Sequence, residues 1–102
     1  MADDLDKLRA AILRMQGWKM HTYWLAPDGI YRDPPDPLAD DRLHELWELA
    51  RTTIGNLCIH DVTIDGIRLF EVLRYYDTNP LGGGETLAVA LARAIVAAKG
   101  GG

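Results

Sequence analysis

The chain has 102 residues, of which 48% are apolar and 25% are charged, and its formal net charge at pH 7 is −4. This length predicts one domain over residues 1–99, followed by a flexible glycine tail at 100–102. The acidic balance argues against binding to nucleic acid, which requires a basic face, and no apolar run approaches the ~20 residues that cross a bilayer. The lone Cys58 and the acidic N-terminus both indicate a cytoplasmic protein without disulfides.

The first third of the chain predicts a helix and then an aromatic-rich strand. Asp3 or Asp4 can cap the helix, and Gly17 can end it, because glycine accepts the positive φ that follows a last turn. Its apolar stripe recurs at helical spacing, at Leu5, Leu8, Ile12 and Met15. Residues 18–25 then predict a strand that carries Trp18, Met20, Thr22 and Trp24 on one face. A Pro-Asp-Gly turn leads into residues 30–32, which can return as a short second strand.

A second helix follows the irregular loop that contains Pro34 and Pro35. Asp36 or Asp40 can cap this helix, and Gly55 can end it. The predicted inner face is apolar, and its members are Leu43, Leu46, Trp47, Ala50 and Ile54. Trp47 lies in the middle of that stripe and is interpreted as a core residue.

Residues 57–64 and 67–76 predict a β-hairpin, because both are rich in β-forming residues and Asp65-Gly66 between them is a favoured two-residue turn. Pairing about that turn places Ile64 opposite Ile67, Val62 opposite Leu69, His60 opposite Glu71 and Cys58 opposite Leu73. Apolar residues in the second run also fit helical spacing, so a helix over 67–76 is the alternative. Neither face of the hairpin is cleanly polar, which predicts coverage on both sides.

A glycine-rich loop, Gly82–Gly84, leads into an Ala-rich last helix over residues 87–99. One helical face carries mostly small side chains, at Leu87, Ala90, Leu91, Ala94, Ile95 and Ala98. The predicted order is therefore α-β-(β)-α-β-β-α. The predicted fold class is α+β: a sandwich whose mostly antiparallel sheet of 3–4 strands is covered by helices.

Catalytic and metal-binding patterns are weak. The chain has no serine, and its three histidines lie far apart in the sequence. His44-Glu45 begins like a zinc-protease helix, but Glu48 occupies the position of the second histidine, so the motif fails. Cys58 is interpreted as a structural thiol. The sequence therefore predicts no catalytic residues, no metal site, no cofactor and no enzymatic activity, and a small enzyme that acts on nucleotides is a weaker alternative.

Three short patterns are similar to those of the phage ABA sandwich domain family, a group of small bacteriophage proteins. They are Gly17-Trp18 after the first helix, the Pro34-Pro35 loop leading to Leu46-Trp47-Glu48-Leu49, and the run from Glu85 to Ala94. The chain departs from the family pattern at Leu81 to Gly84. The resemblance implies a phage accessory protein that acts in the bacterial cytoplasm without established catalytic residues. Small phage proteins of this kind often counter host defence, some by sequestering nucleotide signals.

The most suggestive candidate site is the junction between the hairpin end and the glycine loop. There Arg74, Tyr75 and Tyr76 could bind an aromatic anion, and backbone N–H groups of Gly82–Gly84 with Thr86 could hold its phosphate. The alternative interpretation is a connector in which Thr86 or Glu85 caps the helix. The predicted function is thus sequestration of a small anionic, nucleotide-like ligand. The rival is inhibition of a host protein by direct contact, suggested by the acidic N-terminal half and the loop at 31–35, and a homo-oligomer is compatible with either function.

Overall fold

The computed structural model describes the backbone of residues 2–100 and the side chains of residues 4–100. Their contacts group the chain into two compact units, one up to Pro37 and one from Leu38 onward. The predicted single domain over 1–99 stays a prediction. Of the predicted tail, Gly100 is the last residue of a helix, and Gly101 and Gly102 lie outside the described residues.

The first unit begins with helix α1 (Ala2–Met15). Asp3 and Asp4 therefore lie inside the helix and not before it, so neither is its N-cap. Gly17 ends the helix as predicted, with φ +100°. The Trp18 N–H reaches back to the Leu13 carbonyl at 3.0 Å, which satisfies a carbonyl that the last turn leaves without an intrahelical donor.

The single strand predicted over 18–25 is wrong. Two short strands, β1 (Lys19–Met20) and β2 (Trp24–Leu25), pair antiparallel as a separate two-stranded sheet. The chain reverses between them, so the predicted common face does not form: Trp18 is 8% exposed, whereas Met20 is 45% exposed. Of residues 30–32, only Tyr31 makes a β-bridge, to Leu25. Trp18 packs with Leu13 and Ala26 in a small core, with Trp24 against it.

The second unit begins with a 3₁₀ turn (Asp40–Arg42) that leads directly into helix α2 (Leu43–Ile54). No side chain caps either segment, so the predicted capping by Asp36 or Asp40 is wrong. Gly55 ends α2 as predicted: its φ is +95°, and its N–H donates to the Arg51 carbonyl at 3.0 Å.

The predicted hairpin is confirmed. Strands β3 (Leu57–Ile64) and β4 (Ile67–Arg74) pair antiparallel in the predicted register from end to end. Asp65 and Gly66 both have positive φ, 52° and 79°, which is the type I′ turn that matches strand twist. The helical alternative for 67–76 is wrong, because the cross-strand ladder uses these residues up to Arg74.

The glycine segment is not a loop. Gly82–Gly84 forms strand β5, which pairs antiparallel with β4 and makes it the central strand of the order β3-β4-β5. Helix α3 (Leu87–Gly100) follows. The Thr86 hydroxyl accepts from the Val89 N–H at 3.2 Å, so Thr86 caps this helix.

Helix α3 forms the centre of the second unit, since it packs against α2 and against β4 and β5. Its predicted inner face is confirmed in part: Ala90, Leu91, Ala94 and Ile95 are fully buried. Burial extends further round the helix than one stripe, to Ala88 and Ala92, because α3 has neighbours on two sides. The described helices and antiparallel sheets make this an α+β protein, and none of those helices combines the length and hydrophobicity of a membrane span.

Candidate functional site

A cleft of about 280 Å³ lies between the C-terminal end of α2 and the open end of the β-hairpin. Helix α2 supplies Trp47 and Arg51, which are one turn apart and so share a helical face. The chain then turns at Gly55, whose positive φ directs Asn56 and Leu57 into β3. Tyr75, which directly follows β4, completes the lining.

A backbone hydrogen bond connects the opposite walls of this cleft. The Tyr75 N–H donates to the Asn56 carbonyl at 3.1 Å, which extends the β3–β4 ladder by one pair and fixes where the tyrosine ring leaves the main chain. The side chain itself is 72% exposed. A rigid backbone with a free aromatic ring is suited to stacking on a flat ligand.

The electrostatics of the cleft favour an anion. Arg51 is exposed, and neither Arg51 nor Arg74 forms an ion pair with another of the residues 4–100 whose side chains are described. Arg74 lies opposite Leu57 in the ladder, so it is directly beside the cleft. Guanidinium groups without carboxylate partners can bind a phosphate or carboxylate through paired N–H donors.

The structure divides the predicted site residues between different places. Tyr75 lines the cleft at the hairpin base, and Tyr76 beside it is 83% exposed. Gly83 and Gly84 line a second groove, of about 270 Å³, together with Arg93. That guanidinium already donates to the Gly83 carbonyl at 2.8 Å.

The packing around Gly82 leaves no space for a ligand at this position of the glycine strand. A Cβ placed on Gly82 would lie 2.4 Å from the backbone nitrogen of Ala94 and 2.9 Å from the Ala90 carbonyl oxygen. The space that a side chain would fill is thus occupied by α3. The glycines serve close packing of strand on helix, and Thr86 serves as the helix cap.

Besides Trp47, sequence reasoning missed four of the cleft residues: Arg51, Gly55, Asn56 and Leu57. Trp47 was interpreted as core, yet it is only half-buried and lines the cleft. The spacing of Trp47 and Arg51 was a usable signal, because residues four apart share a helical face, but it does not show that the hairpin end lies opposite.

Among the described residues, no three His, Cys, Asp or Glu side chains form a group that could hold a metal ion. Cys58 is half-buried. The cleft at the hairpin base has aromatic and cationic residues in its walls, Trp47, Tyr75 and Arg51.

Comparison of the chain with protein-family models, with curated proteins and with solved structures found no match in any of the three.

Proposed function

We propose that this protein is a non-enzymatic binding protein that sequesters a small aromatic anion, such as a nucleotide signal, in the cleft at the hairpin base. The observation that carries the proposal is the combination, on the walls of one cleft, of an exposed Tyr75 ring with an Arg51 guanidinium that has no ion-pair partner among residues 4–100. A base can stack on the ring while its phosphate pairs with the guanidinium. In this proposal Arg74 and Tyr76 lie at the rim.

The biological setting that the sequence resemblance implies is part of the same proposal. A phage accessory protein in the host cytoplasm that sequesters a nucleotide immune signal would counter defence without turnover. Such a function requires only affinity and abundance. The glycine strand is left out of the proposed site because it pairs with β4, because α3 lies directly against Gly82, and because Arg93 already donates to the Gly83 carbonyl.

Titration calorimetry with a panel of cyclic dinucleotides and ADP-ribose-type nucleotides tests this function. We expect at least one nucleotide to bind and the Tyr75→Ala variant to bind it at least about fivefold more weakly, since stacking on an aromatic ring contributes about 1–3 kcal/mol per base. The backbone bond from Tyr75 to Asn56 does not depend on the side chain, so the variant keeps its fold.

Tyr23→Ala is the matched control, because Tyr23 is equally exposed at 72% but does not line the cleft. Its affinity should equal that of the wild type. Absence of both heat and thermal stabilisation across the whole panel would remove the sequestration proposal. Recovery of a chemically altered nucleotide from the complex would replace it with an enzymatic one.

A second candidate function is inhibition of a host protein by direct contact. It is favoured by the exposure of two large apolar side chains beside the proline loop, Ile30 at 59% and Tyr31 at 58%. The Arg32–Asp28 ion pair at 2.6 Å holds the preceding turn, so these side chains are displayed from an ordered segment. Exposed apolar groups with a charged rim are typical of protein-binding surfaces.

Affinity purification from bacterial lysate separates this function from sequestration. If a host protein is the target, wild type and Tyr75→Ala should capture the same stoichiometric partner, and Tyr31→Ala should lose most of it. Capture that is unaffected by Tyr31→Ala would exclude the loop as the contact surface.

A further inference from the structure

Strand β3 forms a long open edge of the three-stranded sheet. It pairs with β4 along all eight residues and with no other strand among the described residues. The opposite edge is only the three-residue β5. An open edge presents a row of N–H and C=O groups that can pair with a further strand.

This edge lacks the features that normally prevent strand pairing. β3 contains no proline and no lysine, and its register with β4 runs without a bulge. Its one carboxylate, Asp61, is bound by the Arg68 guanidinium of β4, whose Nε lies 3.0 and 2.9 Å from the two carboxylate oxygens. This pairing holds the pKa of Asp61 below its ordinary value, so the carboxylate is charged and has its ion-pair partner within its own sheet.

The backbone groups that point outward can be identified. The Tyr75 N–H bond to the Asn56 carbonyl marks Asn56 as a hydrogen-bonded position of the β3–β4 ladder, and such positions alternate along an antiparallel pair. The groups that point away from β4 therefore belong to Leu57, Ile59, Asp61 and Thr63. No backbone hydrogen bond within residues 2–100 joins them to another segment outside the sheet.

Symmetry and charge limit the registers available for pairing with a second copy. A two-fold axis perpendicular to the sheet places residues of the same face opposite each other. An axis at Asp61 would place two carboxylates face to face, and an axis at His60 would oppose two imidazoles. An axis at Val62 places Val62 opposite itself, Thr63 opposite Asp61 and Ile64 opposite His60, with no like charges opposed. Axes at Cys58 or Ile59 also oppose no like charges, but they leave the exposed Ile64 without a partner in the second β3 strand.

We propose that two copies of the chain associate through β3 about an axis at Val62 and so form a continuous six-stranded antiparallel sheet. The pairs of Asp61 with Thr63 exchange the outward backbone hydrogen bonds, and the Thr63 hydroxyl can donate to the Asp61 carboxylate of the second copy. The interface also covers Ile64, which is 54% exposed in the single chain.

Sedimentation equilibrium of the wild type and of Val62→Lys and Val62→Glu variants tests the association. The wild type should reach twice its monomer mass as its concentration rises. Each variant alone should remain monomeric, because like charges meet on the axis, and an equimolar mixture of the two should recover the dimer. Circular dichroism checks that each variant keeps its fold. A wild type that stays monomeric throughout, or a mixture that does not dimerise, overturns the proposal.

Disulfide trapping tests the register independently. In a Cys58→Ala background, Val62→Cys should cross-link on oxidation, because Cα atoms of a non-hydrogen-bonded pair lie ~4.5 Å apart and disulfides span about 4.4–6.8 Å. Thr63→Cys is the matched control, since its two copies would be diagonal neighbours about 7–8 Å apart. Faster trapping of Thr63→Cys or of His60→Cys than of Val62→Cys overturns the proposed axis.

Discussion

Replacement of Gly82 by alanine is expected to destabilise the protein by about 3 kcal/mol, near the upper end of what overpacking a core normally costs. The added Cβ would lie 2.4 Å from the Ala94 nitrogen and 2.9 Å from the carbonyl carbon of Arg93. These are backbone atoms of α3, so no rotamer change can relieve the overlap. Either β5 must leave β4 or the helix must move away from the sheet.

Urea unfolding monitored by circular dichroism measures this effect, with Gly100→Ala as the matched control. Gly100 is at the exposed end of α3, and a Cβ there meets no atom within 4 Å, so the control should unfold at nearly the wild-type midpoint. Gly84→Ala should fall between them, because the nearest obstacle is the Val89 Cγ1 at 2.7 Å. A Gly82→Ala midpoint equal to that of the wild type would contradict the close packing of β5 on α3.

The register of the hairpin could be predicted from the sequence, because its signals are local, although the second strand ends at Arg74 and not at Tyr76. Asp65-Gly66 fixes the turn type, and a two-residue turn fixes the register of every pair back to Leu57 and Arg74. Gly17 and Gly55 mark helix ends for a similar reason: both have a positive φ, 100° and 95°. A single residue type suffices where it satisfies a backbone requirement that few others can meet.

The glycine segment was misread because its structural role depends on a distant partner. Three glycines in succession carry no side-chain pattern, so they resemble a flexible loop. Their position as β5 is explained only by the neighbours: β4 supplies the ladder, and the small side chains of α3 allow its backbone to come close. The Ala-rich face of α3 can be recognised in the sequence. That a strand packed closely on this face must itself lack side chains cannot be read from the same pattern.

The candidate cleft was predictable only in part. Tyr75 could be singled out, because an aromatic residue at a strand end has no predicted packing partner. Trp47 and Arg51 come from a helix whose position relative to the hairpin end depends on packing around α3, which the sequence pattern does not specify. A prediction from sequence therefore joined Tyr75 to the nearest suggestive loop along the chain, whereas the structure joins it to the end of α2.

Leu91→Ala is the second substitution from which we expect a large loss, about 3 kcal/mol, as for other buried leucines truncated to alanine. Leu91 is fully buried on α3, the helix that packs against α2 as well as against the sheet. Truncation removes apolar contacts and leaves a cavity that rigid neighbours cannot close.

The Leu91 variant also separates the stability of the second unit from ligand binding at its surface. Lys99→Ala, at an exposed position of the same helix, is the control and should change the urea midpoint little. Leu91→Met keeps the side-chain volume and should cost less than about 1.5 kcal/mol. Leu91→Ala should lower the unfolding free energy, and the protein that remains folded should bind the nucleotide with wild-type affinity. That combination would show that the cleft depends on the local backbone of Asn56 and Tyr75 and not on the side chain of Leu91. A loss no larger than that of Lys99→Ala would instead show that α3 is not the centre of this unit.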